Sequence, residues 1–264
     1  MSFDPRAYWN ERHDRTSGLA GVGYLGLGGL NEWMYRVRRR VFRRVVRGTG
    51  IDVAGARVLD VGTGTGFYLD RWQELGARDV MGADFSQTAC DRLRTRYPGT
   101  PIEVLDLTEI DDAQLQALGQ FDLISVMDVL YHLVDDAAYA RAFANLDRLL
   151  APGGRIIFTE NFLQAAPRTS NDWHVCRTLH EIEGHVRQAG LHILQRRPWF
   201  IALNDPVDST SAAHHKAWWA TRKLAEKVPG AGWAIGAAMY PTEVVLTKVL
   251  RESPTTEIAV SGRT

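Results

Sequence analysis

Three aspartates sit at matching places in this chain. Asp60, Asp84 and Asp106 close the apolar runs R-V-L-D, V-M-G-A-D and I-E-V-L-D. Gly62, Gly64 and Gly66 follow the first acid, so the segment reads D-x-G-x-G-x-G with Thr63 inside it. Glycines at this spacing let the backbone turn sharply and approach a ligand with no Cβ in the way. An acid two residues before the first glycine suits a cationic ligand and is poorly placed for a pyrophosphate. Asp84, 22 residues after Gly62, can accept from both hydroxyls of a ribose. The dinucleotide fingerprint G-x-G-x-x-G needs a third glycine at position 67, where this chain has Phe67.

These residues must be held by an alternating α/β body. Val58, Leu59 and Val61 read as a buried strand, and Phe67, Leu69 and Trp72 restart the apolar pattern at helical spacing. Strands follow near 79–84, 102–106, 121–127, 155–160 and 191–203, with helices near 86–97, 111–118, 135–150 and 178–190. Pro152, Gly153 and Gly154 make the turn into the fifth strand. Residues 32–47 read as an amphipathic helix on Met34, Val37, Val41 and Val45, its seven arginines forming a solvated face. Residues 204–253 break the alternation with two helical stretches split by Pro229, Gly230 and Gly232. A last β-like run spans 255–261.

The acids and glycines together resemble the class I S-adenosylmethionine-dependent methyltransferases, closely over 58–158 and more weakly elsewhere, where the likeness is to bacterial small-molecule members. The resemblance implies a Rossmann-like, doubly wound sheet of about seven strands with the last antiparallel. It divides the chain into an amino-terminal cap at 1–50, a cofactor-binding core at 51–203, a helical insert near the substrate mouth at 204–253 and a last core strand at 254–264. It implies S-adenosyl-L-methionine as cofactor, held by Asp60, Gly62, Thr63, Gly64, Asp84, Phe85, Asp106, Leu107 and Met127. Phe85 would lie against the adenine, and Asp106 with the Leu107 amide would read its edge. The opening Y-W-N-E-R, with Tyr8, resembles a family segment that lies over the cofactor.

Methyl transfer is an in-line displacement that chiefly needs alignment in a dry pocket. An oxygen nucleophile also needs a base, and His132, just after the fourth strand, suits that task near neutral pH. Glu160, His13, His174 and the pair His214–His215 are further candidates, and none has metal-ligand spacing. Arg177 offers a planar fork to a carboxylate or phosphate. Tyr24, Trp33, Trp173, Trp199 and Phe200 suit a planar or apolar acceptor, and His174 joins Tyr24, Trp33 and Arg177 as a substrate contact. O-methylation of a small molecule is the favoured expectation. C- or N-methylation, or S-adenosylmethionine binding without methyl transfer, stays open.

The 264 residues are 45% hydrophobic and 23% charged, with a formal net charge of zero. That balance argues against nucleic acid or membrane as partner. Two cysteines, Cys90 and Cys176, are too few for a disulfide framework and are expected as free thiols. With no apolar leader or spanning run, a cytoplasmic location is expected.

Overall fold

The structure is a computed structural model that describes residues 8–12 and 23–264. Residues 8–12 are helical. Of the expected amino-terminal cap at 1–50, residues 1–7 and 13–22, His13 included, lie outside the described residues.

Segments of three to eleven residues become the strands of a seven-stranded sheet. In chain order they are β1 (Arg57–Val61), β2 (Asp79–Asp84), β3 (Ile102–Val104), β4 (Phe121–Val126) and β5 (Leu150–Glu160). A small hairpin, β6 (Thr169–Ser170) and β7 (Val175–Cys176), interrupts the series before β8 (His192–Pro198) and β9 (Glu257–Gly262). The sheet order is β3-β2-β1-β4-β5-β9-β8. The first five of these strands run parallel, and β9 lies antiparallel between β5 and β8.

Besides the helical residues 8–12, eight helices flank the sheet: α1 (Gly29–Gly48), α2 (Phe67–Glu74), α3 (Gln87–Arg96), α4 (Asp112–Leu118), α5 (Asp136–Leu149), α6 (Leu179–Gln188), α7 (Ala212–Lys227) and α8 (Ala231–Val249). Local chemistry starts several of them. Asp111 with Gln114, and Thr178 with Glu181, form reciprocal capping boxes. Strand alternation sends Val58, Leu123 and Ile157 to one face, under Val37, Val41 and Val45 of α1. Leu59, Ile124 and Phe158 go to the other, under Phe143 and Leu146 of α5 and Val186 of α6. Each such fully buried side chain contributes about 1.5–3 kcal/mol.

The differences from the expected elements have local causes. β3 stops at Val104 because Asp106 folds back, its Oδ1 accepting from the Thr108 amide (2.9 Å) and hydroxyl (2.7 Å). β8 stops at Pro198, and the chain then bends so that buried Glu243 of α8 accepts from the amides of Ile201 (2.6 Å) and Ala202 (3.0 Å). Burial pushes the Glu243 carboxyl above its ordinary range. α8 also packs on α1 so closely that a Cβ on Gly236 would lie 2.5 Å from the Trp33 ring. The arginine-rich helix is only partly a solvated face. Arg36, Arg39, Arg40, Arg43 and Arg47 are exposed, but Arg38 is buried. The β6–β7 hairpin has no counterpart in the expected elements. Both cysteines are free and buried.

Candidate functional site

At the carboxyl ends of β1, β2 and β4 lies a cavity of about 390 Å³, within the range of small-molecule sites. Its first wall is built by the turn after β1. Gly62 and Thr63 donate their amides to the Ala83 carbonyl (2.8 and 3.1 Å), and Gly64 donates to Asp84 Oδ2 (2.9 Å). Gly62 has a φ of 71° and sits so close to Val129 that a Cβ would fall 2.2 Å from Cγ2. No other residue type fits without displacing that neighbour. Asp84 Oδ1 accepts from the Ser86 amide (2.9 Å). Gly62, Thr63, Gly64, Asp84, Phe85, Asp106, Leu107 and Met127 all line the cavity.

Asp60 does not reach the cavity surface. It lies behind the loop, its Oδ1 accepting from the Ser125 hydroxyl (2.5 Å), which accepts in turn from Trp72 Nε1 (2.9 Å). Ser125 is its register partner on β4. Asp60 Oδ2 is buried with no hydrogen-bond donor among the described residues. Burial pushes this carboxyl up to about 7, against its hydrogen bond from Ser125.

The second wall comes from distant parts of the chain. Arg38 of α1, 9% exposed, forms an ion pair with Asp128. Its guanidinium also lies over the rings of Tyr35 (4.6 Å) and Phe200 (5.5 Å). Asp128 follows β4 with a φ of 60°, held by its amide's bond to Thr159 Oγ1 (2.7 Å). A single turn of 3-10 helix, Leu130–His132, brings Tyr131 and His132 to the cavity. Burial and then the Asp128 charge push the Tyr131 phenol well above its ordinary value. Trp9, Tyr35 and Tyr68 complete this wall.

His132 has a defined hydrogen-bond state. Its Nδ1 lies 2.8 Å from the Trp173 carbonyl. A carbonyl only accepts, so Nδ1 carries the hydrogen. Burial lowers the ring's pKa, so it is neutral at pH 7 and Nε2 holds a lone pair. Trp173 stacks on the ring (5.8 Å between centroids, 29° between planes), and Trp9 meets it edge-on at 5.2 Å.

Five other expected site residues lie off this cavity. Trp33 is wedged between helices, against Trp233 (5.5 Å) and Tyr240 (5.2 Å) of α8. The Tyr24 hydroxyl donates to Asn204 (2.7 Å) and its ring packs on Trp218. His174 sits behind Tyr131 and His132, and burial drops it to about 4. Tyr8 accepts from Arg12 and abuts Trp9, which takes the cavity position instead. Arg177 is fully buried, bonded through Nε and Nη2 to Asp136 (3.0 and 2.8 Å) and through Nη2 to the Leu133 carbonyl (2.7 Å). A fork so occupied is not offered to a ligand. Trp199 and Phe200 are core.

Arg38 and Tyr131 are residues that sequence reasoning missed, whereas Asp128, beside Met127 at the end of the fourth strand, was expected to face the cofactor. A signal for Arg38 was present: it shares the inward face of α1 with Met34, Val41 and Val45 at helical spacing.

Residues 58–154 match the model of a methyltransferase domain family. Over that span the chain is similar to the S-adenosylmethionine-dependent methyltransferases. It is 31% identical over 168 residues to a ubiquinone biosynthesis O-methyltransferase of Ruegeria pomeroyi, a match covering 57% of this chain and 65% of that relative. The chain thus spans just under two thirds of that relative's length. Magnesium protoporphyrin IX methyltransferase from Synechocystis, solved with bound S-adenosylmethionine, has the same fold (TM-score 0.57, 15% identity, 98% of this chain and 95% of that one). So does the 4+2 cyclase SpnF (TM-score 0.54, 22% identity, 85% and 81%). A methyltransferase fold therefore does not by itself name a reaction.

The first wall fits the family's cofactor on its own geometry. The Gly62 cradle leaves no room for a side chain, and Asp60 Oδ2 behind it is a buried oxygen with no hydrogen-bond partner among the described residues. Among the described residues no cluster of potential metal ligands occurs, and no helix is long and apolar enough to cross a membrane.

Proposed function

We propose that this chain transfers a methyl group from S-adenosylmethionine to a hydroxyl of a small, planar acceptor. The observation that carries the reading is that a neutral histidine, His132, lines the same cavity as the glycine loop and the ribose-type acid Asp84. When bound, S-adenosylmethionine supplies an electrophilic sulfonium methyl. Asp84 would accept from the ribose hydroxyls, Phe85 and Leu107 would pack the adenine, and Asp106 would accept from its amino group. Tyr8, which abuts Trp9 at the cavity edge, would act through that ring. The Arg38–Asp128 pair, Tyr35 and Tyr131 would orient the acceptor within the aromatic wall.

His132 Nε2 would take the acceptor's proton as its oxygen attacks. A base with a lowered pKa matches an acidic hydroxyl such as a phenol far better than an aliphatic alcohol. The O-methyltransferase name of the Ruegeria relative supports the same acceptor atom. C- or N-methylation is the competing reading, since those nucleophiles can react without a base.

Calorimetric titration with S-adenosylmethionine, S-adenosylhomocysteine and NAD tests the cofactor. The first two should bind, and Asp84→Ala should weaken them about 100-fold, as expected for losing charge-assisted hydrogen bonds. Binding of NAD alone would overturn the reading. With catechol as probe acceptor, His132→Gln should slow single-turnover methylation by roughly 10²–10⁴ at unchanged cofactor affinity. An unchanged rate removes His132 as base.

A further inference from the structure

The β6–β7 hairpin lies some 40 residues along the chain from His132 and lines no part of the cavity. Its contacts nevertheless converge on the turn that carries His132. The Trp173 carbonyl receives Nδ1–H, and the orientation of that carbonyl is set by Asn171. Asn171 Oδ1 accepts from the amides of both Trp173 (3.0 Å) and His174 (2.9 Å), and the Asn171 amide donates to the His174 carbonyl (2.9 Å). One side chain thus replaces the main-chain bonds that the four-residue connection cannot make.

The hairpin is itself tied down at its base. The Leu163 amide donates to the Arg177 carbonyl (3.0 Å), and Leu179 donates to the Leu163 carbonyl (2.9 Å). Arg177 reaches back to the Leu133 carbonyl, one residue after the histidine. Its ring contact with Tyr139 (3.8 Å) and its pair with Asp136 fix the guanidinium. The ring of His132 and the backbone just beyond it are therefore gripped by Trp173 and Arg177, four residues apart along the hairpin.

We propose that Asn171 and Arg177 are positioning residues, which together hold His132 as the Nδ1–H tautomer with the Nε2 lone pair available. This rests on the reading of His132 as base only for its catalytic consequence. The tautomer can be measured directly. A neutral imidazole free of such a partner would populate both tautomers, and only one of them leaves Nε2 as the acceptor.

The test is long-range proton–nitrogen NMR on the full chain with ring-15N-labelled histidine at pH 7.5, the His132 signals being assigned by their loss in His132→Gln. Wild type should give one pyrrole-type nitrogen at Nδ1 and one pyridine-type nitrogen at Nε2. In Asn171→Ala both should move toward averaged shifts, with single-turnover methylation of catechol falling about 10-fold. Asn171→Asp keeps an oxygen acceptor and should restore spectrum and rate. A wild-type ring protonated at Nε2, or shifts unmoved by Asn171→Ala, would overturn the proposal. Should Asn171→Ala not fold, the wild-type spectrum and Asn171→Asp still decide it. Full activity in His132→Gln would strike the base reading alone, because the spectra do not depend on turnover.

Discussion

On one side of the cavity, Gly62, Gly64, Asp84 and Asp106 sit within a single stretch of chain and meet largely through the main chain. Amides of the loop bond to the end of β2, and each acid turns back on its own neighbours. On the other side, Arg38, the turn carrying Asp128 and His132, and Trp173 behind that turn come from three separate segments and meet largely through side chains. The first wall is thus fixed by backbone shape, which only glycine at the turn and an acid at the strand end permit. The second is fixed by charge pairing and ring packing, which many side-chain sets could satisfy. That division suits the proposed function, in which one ligand is constant and the other varies.

The sharpest way to break the first wall is to add a methyl group to its turn. Gly62→Ala puts a Cβ at a positive φ and against Val129. Strain of about 1–2 kcal/mol adds to overpacking of about 1–3 kcal/mol. Urea unfolding should report a loss of roughly 2–5 kcal/mol, and S-adenosylmethionine binding should fall with it. A variant as stable as wild type would mean that the loop is not shape-determined, and the contrast between the walls would go.

The second wall should break through charge instead. Arg38→Met strands Asp128 in a largely buried place, at a cost of about 3 kcal/mol. Adding Asp128→Asn removes the stranded charge and tolerates the positive φ, so the double variant should regain most of the stability. Arg39→Met, on the same helix but paired at the surface with Glu74, should cost under about 1 kcal/mol. If Arg38→Met and Arg39→Met match, Arg38 is one more surface arginine and the wall loses its keystone.

The same contrast governs what could be read in the sequence. The sheet, its order of elements and the first wall depend on short periodic runs and on glycine and aspartate at fixed offsets, all local signals. The second wall depends on which distant segments pack together. Tyr24, Trp33 and Arg177 have the right chemistry for a substrate contact, and tertiary packing spends it elsewhere: on Asn204, on α8 and on Asp136. Arg38 was legible in principle from the inward face of α1. Asn171 was not, because its importance lies in a carbonyl two residues away meeting a ring from another segment.

The smallest effect concerns Asp60, which sits between the two kinds of wall: a strand-end acid by position, a buried side-chain network by contact. Its carboxyl is raised by burial to about 7 in the folded protein, against about 4 unfolded. Between those values the folded chain holds a proton that the unfolded chain has lost. Stability therefore falls as pH rises from about 4 to about 7, and this contribution is level above that. Asp60→Asn keeps the oxygen that accepts from Ser125 and removes the titration. Its stability relative to wild type should rise from pH 5 to pH 8 in urea unfolding, by about 1–2 kcal/mol allowing for partial hydration. Cofactor binding adds a second reading. A cationic ligand near Asp60 favours the carboxylate, so wild-type affinity for S-adenosylmethionine should strengthen between pH 6 and pH 8 while the Asn variant stays flat. Parallel pH profiles in the two proteins would assign Asp60 to the Ser125–Trp72 network alone and leave the cofactor wall to Asp84 and Asp106.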